Sequence, residues 1–324
     1  MKMIFKSFLS NQLEEFVHYR MSLGYKNIVT LKSYLKKFDR YLIEADEGKA
    51  LSPSFFLEFR QSLTVSAVTI NKTLFAVRRF YDYLIRINYT EVNPLQDIPP
   101  EKERTFIPFI FSRKETDRIL YTVQNYIRHD EACFFKDMMV YTAIMLLARC
   151  GMRISEPLRL HIHHYRLCDR TIYIEKTKFS KDRLIAVPKT VASELNQYLA
   201  VRKAFFAGNN SSLFPNKSVG SISSNRIYPV FHRAVAAVGL SEPARVIGNM
   251  RFGGPCPHSF RHSFAVNTLK AVKERGKSPQ QALPVLSAYM GHSIYIDTAV
   301  YLKVLDADHR RSLKNINISQ RNEI

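Results

Sequence analysis

The first hundred residues follow the apolar pattern of amphipathic helices. Apolar residues recur at three- and four-residue steps over residues 10–47, as at Leu31 and Leu35, and this spacing predicts helices. Leu23-Gly24-Tyr25 interrupts the pattern and predicts a helix end followed by a turn. A second stripe over residues 68–87 predicts another long helix.

The pattern changes in the longer C-terminal part. Residues Phe134–Ala148 are apolar almost all round, which predicts a helix buried in a core and ended by Gly151. Thr171–Glu175 and Arg183–Val187 predict the two strands of a hairpin. Further helices are predicted near Arg113–Asn125, 190–205, 225–238 and 258–274.

Prolines mark the boundary between these two parts. Positions 94, 99, 100 and 108 are proline, and proline removes a backbone donor and blocks helix formation. The sequence therefore predicts a helical domain over residues 1–100, a linker over 101–108 and a second domain over 109–324. The fold class expected is mainly α with a small β-hairpin or sheet (α+β).

Charge indicates the partner. Lys and Arg number 48 against 28 Asp and Glu, giving a formal net charge of +20, which favours a polyanion such as DNA. No apolar run is long enough for a spanning helix, so no membrane partner is expected. The 4 cysteines form no C-x-x-C pair, which indicates neither a disulfide framework nor a zinc ribbon. The expected compartment is the reducing cytoplasm, in association with the nucleoid.

Two C-terminal motifs carry the candidate chemistry. His258-Ser-Phe-Arg261-His262 is followed by Gly291-His292 and then by Tyr301, while Arg153 lies far upstream. Guanidinium groups stay protonated and bind phosphate oxygens bidentately. A phenol can act as a nucleophile, and histidine transfers protons near neutral pH. Together these residue types indicate metal-free phosphodiester cleavage through a covalent phosphotyrosine.

The order and context of these motifs resemble those of the tyrosine recombinases (phage integrase family). A buried helix precedes Gly151-Met-Arg153-Ile-Ser-Glu156, a basic-tipped hairpin follows, and the histidine and tyrosine motifs close the pattern. Tyr19-Arg20-x-x-Leu23-Gly24-Tyr25-Lys26 and Asp297-Thr-Ala-Val-Tyr301 are similar to segments of the transposon-encoded subgroup. The resemblance implies a helical core-binding domain before a catalytic domain.

The resemblance also implies the residue roles. Arg153 and Arg261 would hold the scissile phosphate, and Tyr301 would form a 3′-phosphotyrosine. His258 is the implied general base, His292 a phosphate or tyrosine contact, and Lys178 the general acid that protonates the departing 5′-oxygen. Glu156 would orient an active-site group, although Pro157 directly after it is compatible with that geometry only if Ser155 caps the turn.

Several alternatives remain open at the level of sequence. Lys176 and Lys181 share the hairpin loop with Lys178, and Lys181 competes with it as the acid; otherwise these lysines contact the DNA backbone. Tyr289 and Tyr295 are rival phenols, of which Tyr289 is expected to pack.

Other positions have a structural and a functional interpretation. His262 competes with His258 as the base. His161, His163 and His164 suggest a metal nuclease, but their spacing does not suit a zinc site, and solvated histidines near DNA are favoured. In the first domain, Lys72, Arg78 and Arg79 lie off the apolar stripe and are candidate DNA contacts.

The function expected is cutting and rejoining of DNA for integration, excision or transposition of a mobile element. No cofactor is expected. The partners expected are double-stranded DNA and a homo- or hetero-tetramer at synapsis, formed with copies of this chain or with other recombinases of the same element. The alternatives are an accessory DNA-binding partner of other recombinases and a type IB topoisomerase-like enzyme that releases a swivelling strand.

Overall fold

The computed structural model describes residues 4–45, 51–175, 182–206, 208–216, 220–292 and 298–302. The chain divides into two compact units between Thr105 and Phe106. Helices dominate, and the strands form two small sheets, so the expected mainly α fold with a minor β component is confirmed. None of the described helices combines the length and the apolar character needed to cross a bilayer.

The first unit is helical. Its helices are α1 (Ser10–Ser22), α2 (Ile28–Glu44), α3 (Pro53–Ser62) and α4 (Ala67–Arg86). The predicted turn lies between α1 and α2, where Gly24 adopts a left-handed backbone conformation with φ of +76°. Phenylalanines form much of the core: Phe38 contacts both Phe56 and Phe59, and all of these rings are buried.

The second unit has more elements. In chain order they are β1 (Thr105–Ile107), α5 (Arg113–Gln124), α6 (Glu131–Cys150), β2 (Tyr165–Arg166), β3 (Thr171–Ile174), β4 (Arg183–Ala186), α7 (Lys189–Phe205), α8 (Ile227–Ala237), β5 (Arg245–Ile247), β6 (Met250–Phe252), α9 (Pro257–Glu274) and α10 (Pro279–Met290). Helix α6 packs against α5, α7, α8 and α9, which explains why its sequence is apolar almost all round.

Gly151 ends α6, as the sequence predicts, in the left-handed conformation with φ of +59°. A Cβ atom at this position would lie 2.5 Å from Cδ1 of Phe264 on α9. The absence of a side chain therefore lets the backbone after α6 approach α9 closely, and this approach brings Arg153 towards the motif residues of α9.

Both sheets have three strands. Strand β3 lies between β2 and β4 and pairs antiparallel with both, from Thr171 opposite Ala186 to Ile174 opposite Arg183. This is the predicted hairpin; its loop, residues 176–181, lies outside the described residues.

The other sheet has the order β1-β6-β5 and was not predicted. Its first strand occupies part of the predicted linker 101–108, because proline-rich sequence can still contribute a three-residue edge strand.

Candidate active site

The ends of three helices bring the candidate residues together. Arg153 follows the end of α6, and the N-terminal half of α9 carries His258, Arg261 and His262. His292 follows the end of α10, and Tyr301 lies in the helical residues 298–302. All of these residues lie within the second unit.

The C-terminal end of α10 is bound by three arginines. Arg183 Nε donates a hydrogen bond to the carbonyl oxygen of Tyr289 at 2.8 Å. Arg261 donates to the carbonyl oxygen of Met290, and Arg153 Nη2 donates to that of Gly291 at 3.0 Å. The last carbonyls of a helix have no partner within the helix and carry partial negative charge. The arginines satisfy these groups and fix the turn from which His292 emerges.

Glu156 holds two of these arginines. Its carboxylate accepts from Arg183 Nη1 at 3.0 Å and Nη2 at 2.8 Å, and from Arg153 Nη1 at 2.9 Å. The Arg153 backbone N–H also donates to Glu156 Oε2 at 2.8 Å. Burial alone would raise the pKa of Glu156, but the hydrogen bonds and charge of Arg183 outweigh it, and the net pKa is lowered. Glu156 is therefore a carboxylate at neutral pH and holds the Arg153 side chain in place.

The turn after Glu156 is not capped by Ser155, contrary to what the sequence had suggested. Glu156 itself occupies the N-cap position of a short 3₁₀ turn, Pro157–Arg159, and makes no side-chain cap. Pro157 stands in the first position of that turn, where its missing N–H costs nothing. The proline is thus compatible with the pose of Glu156 without help from Ser155.

Arg261 is the most buried cation of the site, with 1% of its surface exposed. One of its terminal nitrogens donates to Gly151 O at 2.8 Å and the other to Met290 O. Burial and the nearby charge of Arg153 lower the pKa of Arg261, yet a guanidinium stays protonated in proteins. Arg261 and the partly exposed Arg153 thus place two positive charges close together, an arrangement that is able to bind an anion.

Tyr301 lies at the edge of a small apolar cluster and is 4% exposed. Its ring belongs to the cluster formed by α9 and α10, which includes Leu269 and Met290. Its hydroxyl Oη lies 2.9 Å from His262 Nδ1. The apolar cluster positions the ring, and the histidine positions the reactive oxygen.

His258 is exposed near the N-terminus of α9. Its ring meets that of His262 edge to face, with centroids 4.7 Å apart. Partial desolvation and the positive charges of Arg261 and Arg153 lower the pKa of His258. A neutral imidazole at physiological pH is able to accept a proton.

His292 completes the group. Its Nδ1 lies 2.7 Å from Thr298 Oγ1, and its ring centroid lies 6.4 Å from that of Tyr301. The histidine thus connects the arginine-bound end of α10 with the helical residues that carry the tyrosine.

The rival residues are placed as follows. Tyr289 stacks on Phe264 and its hydroxyl donates to Ala186 O at 3.1 Å, so it packs as expected. Tyr295 and the loop lysines Lys176, Lys178 and Lys181 lie outside the described residues.

His161, His163 and His164 contact one another, and His161 also contacts a neighbouring serine. His161 N donates to His164 Nδ1 at 3.1 Å, and His161 Nδ1 lies 2.9 Å from Ser211 Oγ. His163 meets His164 edge to face. Within the described ranges, no group of three or more His, Cys, Asp or Glu side chains is arranged to hold a metal ion.

The basic candidates on α4 differ among themselves. Lys72 and Arg79 are exposed. Arg78, by contrast, donates from Nε and Nη2 to Leu95 O and from Nη2 to Ile98 O, at 2.9 to 3.1 Å. These bonds give Arg78 a structural role in fastening the segment after α4.

Sequence reasoning missed two kinds of residue. Arg183 was assigned only to a strand, although a charged residue beginning an otherwise apolar strand is a signal for a buried partner. On α2, Lys36 and Arg40 are exposed one helical turn apart, and the sequence analysis did not single them out.

Comparisons with known proteins agree with the fold. The model of the phage integrase family matches residues 111–307. The protein y4rE of Sinorhizobium fredii, whose name describes an integrase/recombinase, is 28% identical over 302 residues, covering 92% of each chain.

Two solved structures are similar in fold. One is the XerH site-specific recombinase bound to a palindromic difH substrate after cleavage, with a TM-score of 0.68 and 21% identity, covering 96% of this chain and 84% of that one. The other is a lambda integrase tetramer bound to a Holliday junction, with a TM-score of 0.63 and 14% identity, covering 88% and 77%.

Proposed function

This chain belongs to the phage integrase family and catalyses site-specific DNA recombination, and we propose that it cuts each strand through a 3′-phosphotyrosine formed at Tyr301. The observation that carries this proposal is the convergence of the Tyr301 hydroxyl, two arginines and three histidines on one site. In the reaction, the Tyr301 oxygen bonds to phosphorus and the bond from phosphorus to the 5′-oxygen breaks.

Arg153 and Arg261 bind the non-bridging oxygens of the scissile phosphate. Negative charge grows on these oxygens as the fifth bond forms, and preorganised cations stabilise it without reorganising. Because guanidinium groups supply this charge, the proposed step needs no metal ion. His292 contacts the same phosphate from the turn at the end of α10.

Proton transfer accompanies both bond changes. A histidine accepts the Tyr301 proton, for which His258 is the family-based candidate and His262 the competitor. Lys178 protonates the departing 5′-oxygen, with Lys181 as the alternative. The phosphotyrosine keeps the energy of the cleaved bond, so attack by the 5′-hydroxyl of another strand rejoins DNA without a nucleotide cofactor.

We propose double-stranded DNA and a synaptic tetramer as the partners. The complexes of XerH with difH DNA and of the lambda integrase tetramer with a Holliday junction support this assembly. The biological event proposed is integration, excision or transposition of a mobile element, and the protomers are copies of this chain or other recombinases of the same element.

The proposal is tested with a nicked suicide duplex. The duplex is selected from a randomised DNA pool by binding to the protein. A nick on the 3′ side of the scissile phosphate lets the short fragment that carries the free 5′-hydroxyl escape after cleavage. Incubation in EDTA is expected to give a denaturant-resistant protein–DNA adduct. Tight binding without any adduct would instead favour an accessory DNA-binding protein, and relaxation of supercoiled plasmid without strand exchange would favour a topoisomerase.

DNA affinity is expected to fall steeply with salt. Each phosphate contact releases counterions, so affinity drops roughly a hundredfold between 50 and 200 mM salt if four phosphates are contacted. Fluorescence anisotropy on a labelled duplex in increasing KCl measures the slope. The Lys72→Gln variant, which removes the charge of an exposed candidate contact on α4, should reduce the slope by about one. A flat response would contradict backbone contacts as the main source of affinity.

A further inference from the structure

The Tyr301 hydroxyl has a histidine partner other than the one the family pattern implies. His262 Nδ1 lies 2.9 Å from Tyr301 Oη, which is hydrogen-bond distance for a phenol donating to an imidazole. His258, one helical turn earlier on α9, is exposed, and its ring contacts that of His262.

The surroundings of His262 keep its ring neutral at physiological pH. Burial, together with the charges of His258, Arg261 and His292, lowers the pKa of His262 to about 3. Among the residues that the structure describes, those groups and Tyr301 are the titratable or charged side chains that act on its ring. A neutral ring with Nδ1 facing the hydroxyl presents a lone pair at neutral pH, and Nε2 then carries the ring proton.

We propose that His262 is the general base that takes the Tyr301 proton during strand cleavage. This inference rests on the proposed function and names a residue for its first proton transfer. The O–H bond of Tyr301 breaks and its proton moves to Nδ1 of His262. The phenolic oxygen bonds to phosphorus, and the bond to the 5′-oxygen breaks as that oxygen takes a proton from the lysine acid.

The reverse step uses the same pair. When a 5′-hydroxyl attacks the phosphotyrosine, its proton passes to the now neutral lysine and its oxygen bonds to phosphorus. The phosphorus–Tyr301 bond breaks, and the protonated His262 returns its proton to the phenolic oxygen. His258, exposed beside Arg153 and Arg261, is then left to contact the phosphate. Edge-to-face contact with His258 keeps the His262 ring in the orientation that presents Nδ1 to the tyrosine.

The His262→Asn variant tests the proposal. An asparagine amide reaches the position of Nδ1 and keeps a hydrogen bond with Tyr301, but it cannot take up a proton at neutral pH. The rate of adduct formation on the suicide duplex is expected to fall roughly 10²- to 10⁴-fold with unchanged DNA affinity. His232→Asn, on the exposed surface of α8, is the matched control and should keep the wild-type rate.

A more acidic nucleophile separates proton transfer from positioning. With 3,5-difluorotyrosine incorporated at position 301, the hydroxyl needs less help from a base, so the effect of His262→Asn should shrink to less than tenfold. A defect of the same size with the fluorinated residue, or no defect at all, would overturn the proposal.

The His262→Ala variant tests the proposal independently if His262→Asn does not fold. His262→Ala opens space at Nδ1, and free imidazole in the buffer should restore adduct formation in proportion to its basic form. Lack of rescue in a folded, DNA-binding His262→Ala protein would count against the proposal. Absence of any adduct with the wild-type protein would instead reject the proposed function, and this inference with it.

Discussion

Replacing Tyr301 by phenylalanine is expected to abolish the covalent protein–DNA adduct and to stop recombination. The substitution removes only the oxygen that is proposed to bond to phosphorus, so no covalent intermediate can form. Removal of a covalent nucleophile costs on the order of 10⁶-fold in rate in well-studied enzymes. Denaturing electrophoresis of the protein on the nicked suicide duplex, in EDTA, measures the outcome directly.

The same variant should otherwise resemble the wild-type protein. The ring of Tyr301 remains in its apolar cluster, and loss of the hydrogen bond to His262 costs about 1 kcal/mol. DNA affinity should therefore be unchanged. Tyr289→Phe is the matched control, since it removes a hydroxyl that donates to Ala186 O outside the reaction. Persistent adduct in Tyr301→Phe would move the nucleophile elsewhere, with Tyr295 the next candidate.

The long periodic helices of this fold were predictable from sequence. Helices α2, α4 and α6 have clear apolar patterns, and Gly24 and Gly151 mark helix ends that the structure reproduces. In these segments, the burial of one face and the local backbone preference favour the same conformation, so pattern alone is sufficient.

Other elements lack such agreement. Helix α10 contains Pro284, which ordinarily indicates a break, but the residue is exposed and the helix continues through it. Strands β5 and β6 are three residues long and largely exposed, so they show no alternation of apolar and polar positions. Their pairing is determined by partners that a sequence pattern does not reveal.

In the candidate site, too, some residues could be predicted from sequence and others could not. Motif order selected Arg153, Arg261 and Tyr301 as candidates, because few residue types provide the chemistry that was expected of them, and the structure brings these three residues into one region. The partners of these residues could not be read from sequence, because they depend on packing between distant segments. Arg183 lies at the start of β4, yet it donates hydrogen bonds both to Glu156, which follows α6, and to the carbonyl oxygen of Tyr289 in α10. These contacts depend on how the three segments pack.

The Glu156→Gln variant is expected to destabilise the second unit by about 3–5 kcal/mol. Glu156 is 6% exposed, and the side chain of Arg183 opposite it is 8% exposed. Removing the negative charge leaves the guanidinium buried without compensation, which is the costly way to break a buried ion pair. Urea denaturation measures the loss. Adduct formation should fall as well, because Arg153 loses the carboxylate that orients it.

The pH dependence of stability gives an independent check. The folded-state pKa of Glu156 lies below its ordinary value of 4.5, so its contribution to stability is fully present above about pH 4.5. That contribution is lost as the pH falls through the folded-state pKa. The stability difference between the wild type and Glu156→Gln should therefore be constant near neutral pH and shrink below about pH 4.5.

An exposed ion pair supplies the control for burial. Arg149 and Asp117 lie 2.7 Å apart on the surface of the second unit, with 39% and 56% of their side chains exposed. Asp117→Asn should change stability by less than about 1 kcal/mol, because water screens the pair. Glu156→Gln combined with Arg183→Met should recover part of the loss, since it removes the uncompensated charge as well. Equal effects of Glu156→Gln and Asp117→Asn would mean that the cluster is hydrated and does not hold the arginines rigidly.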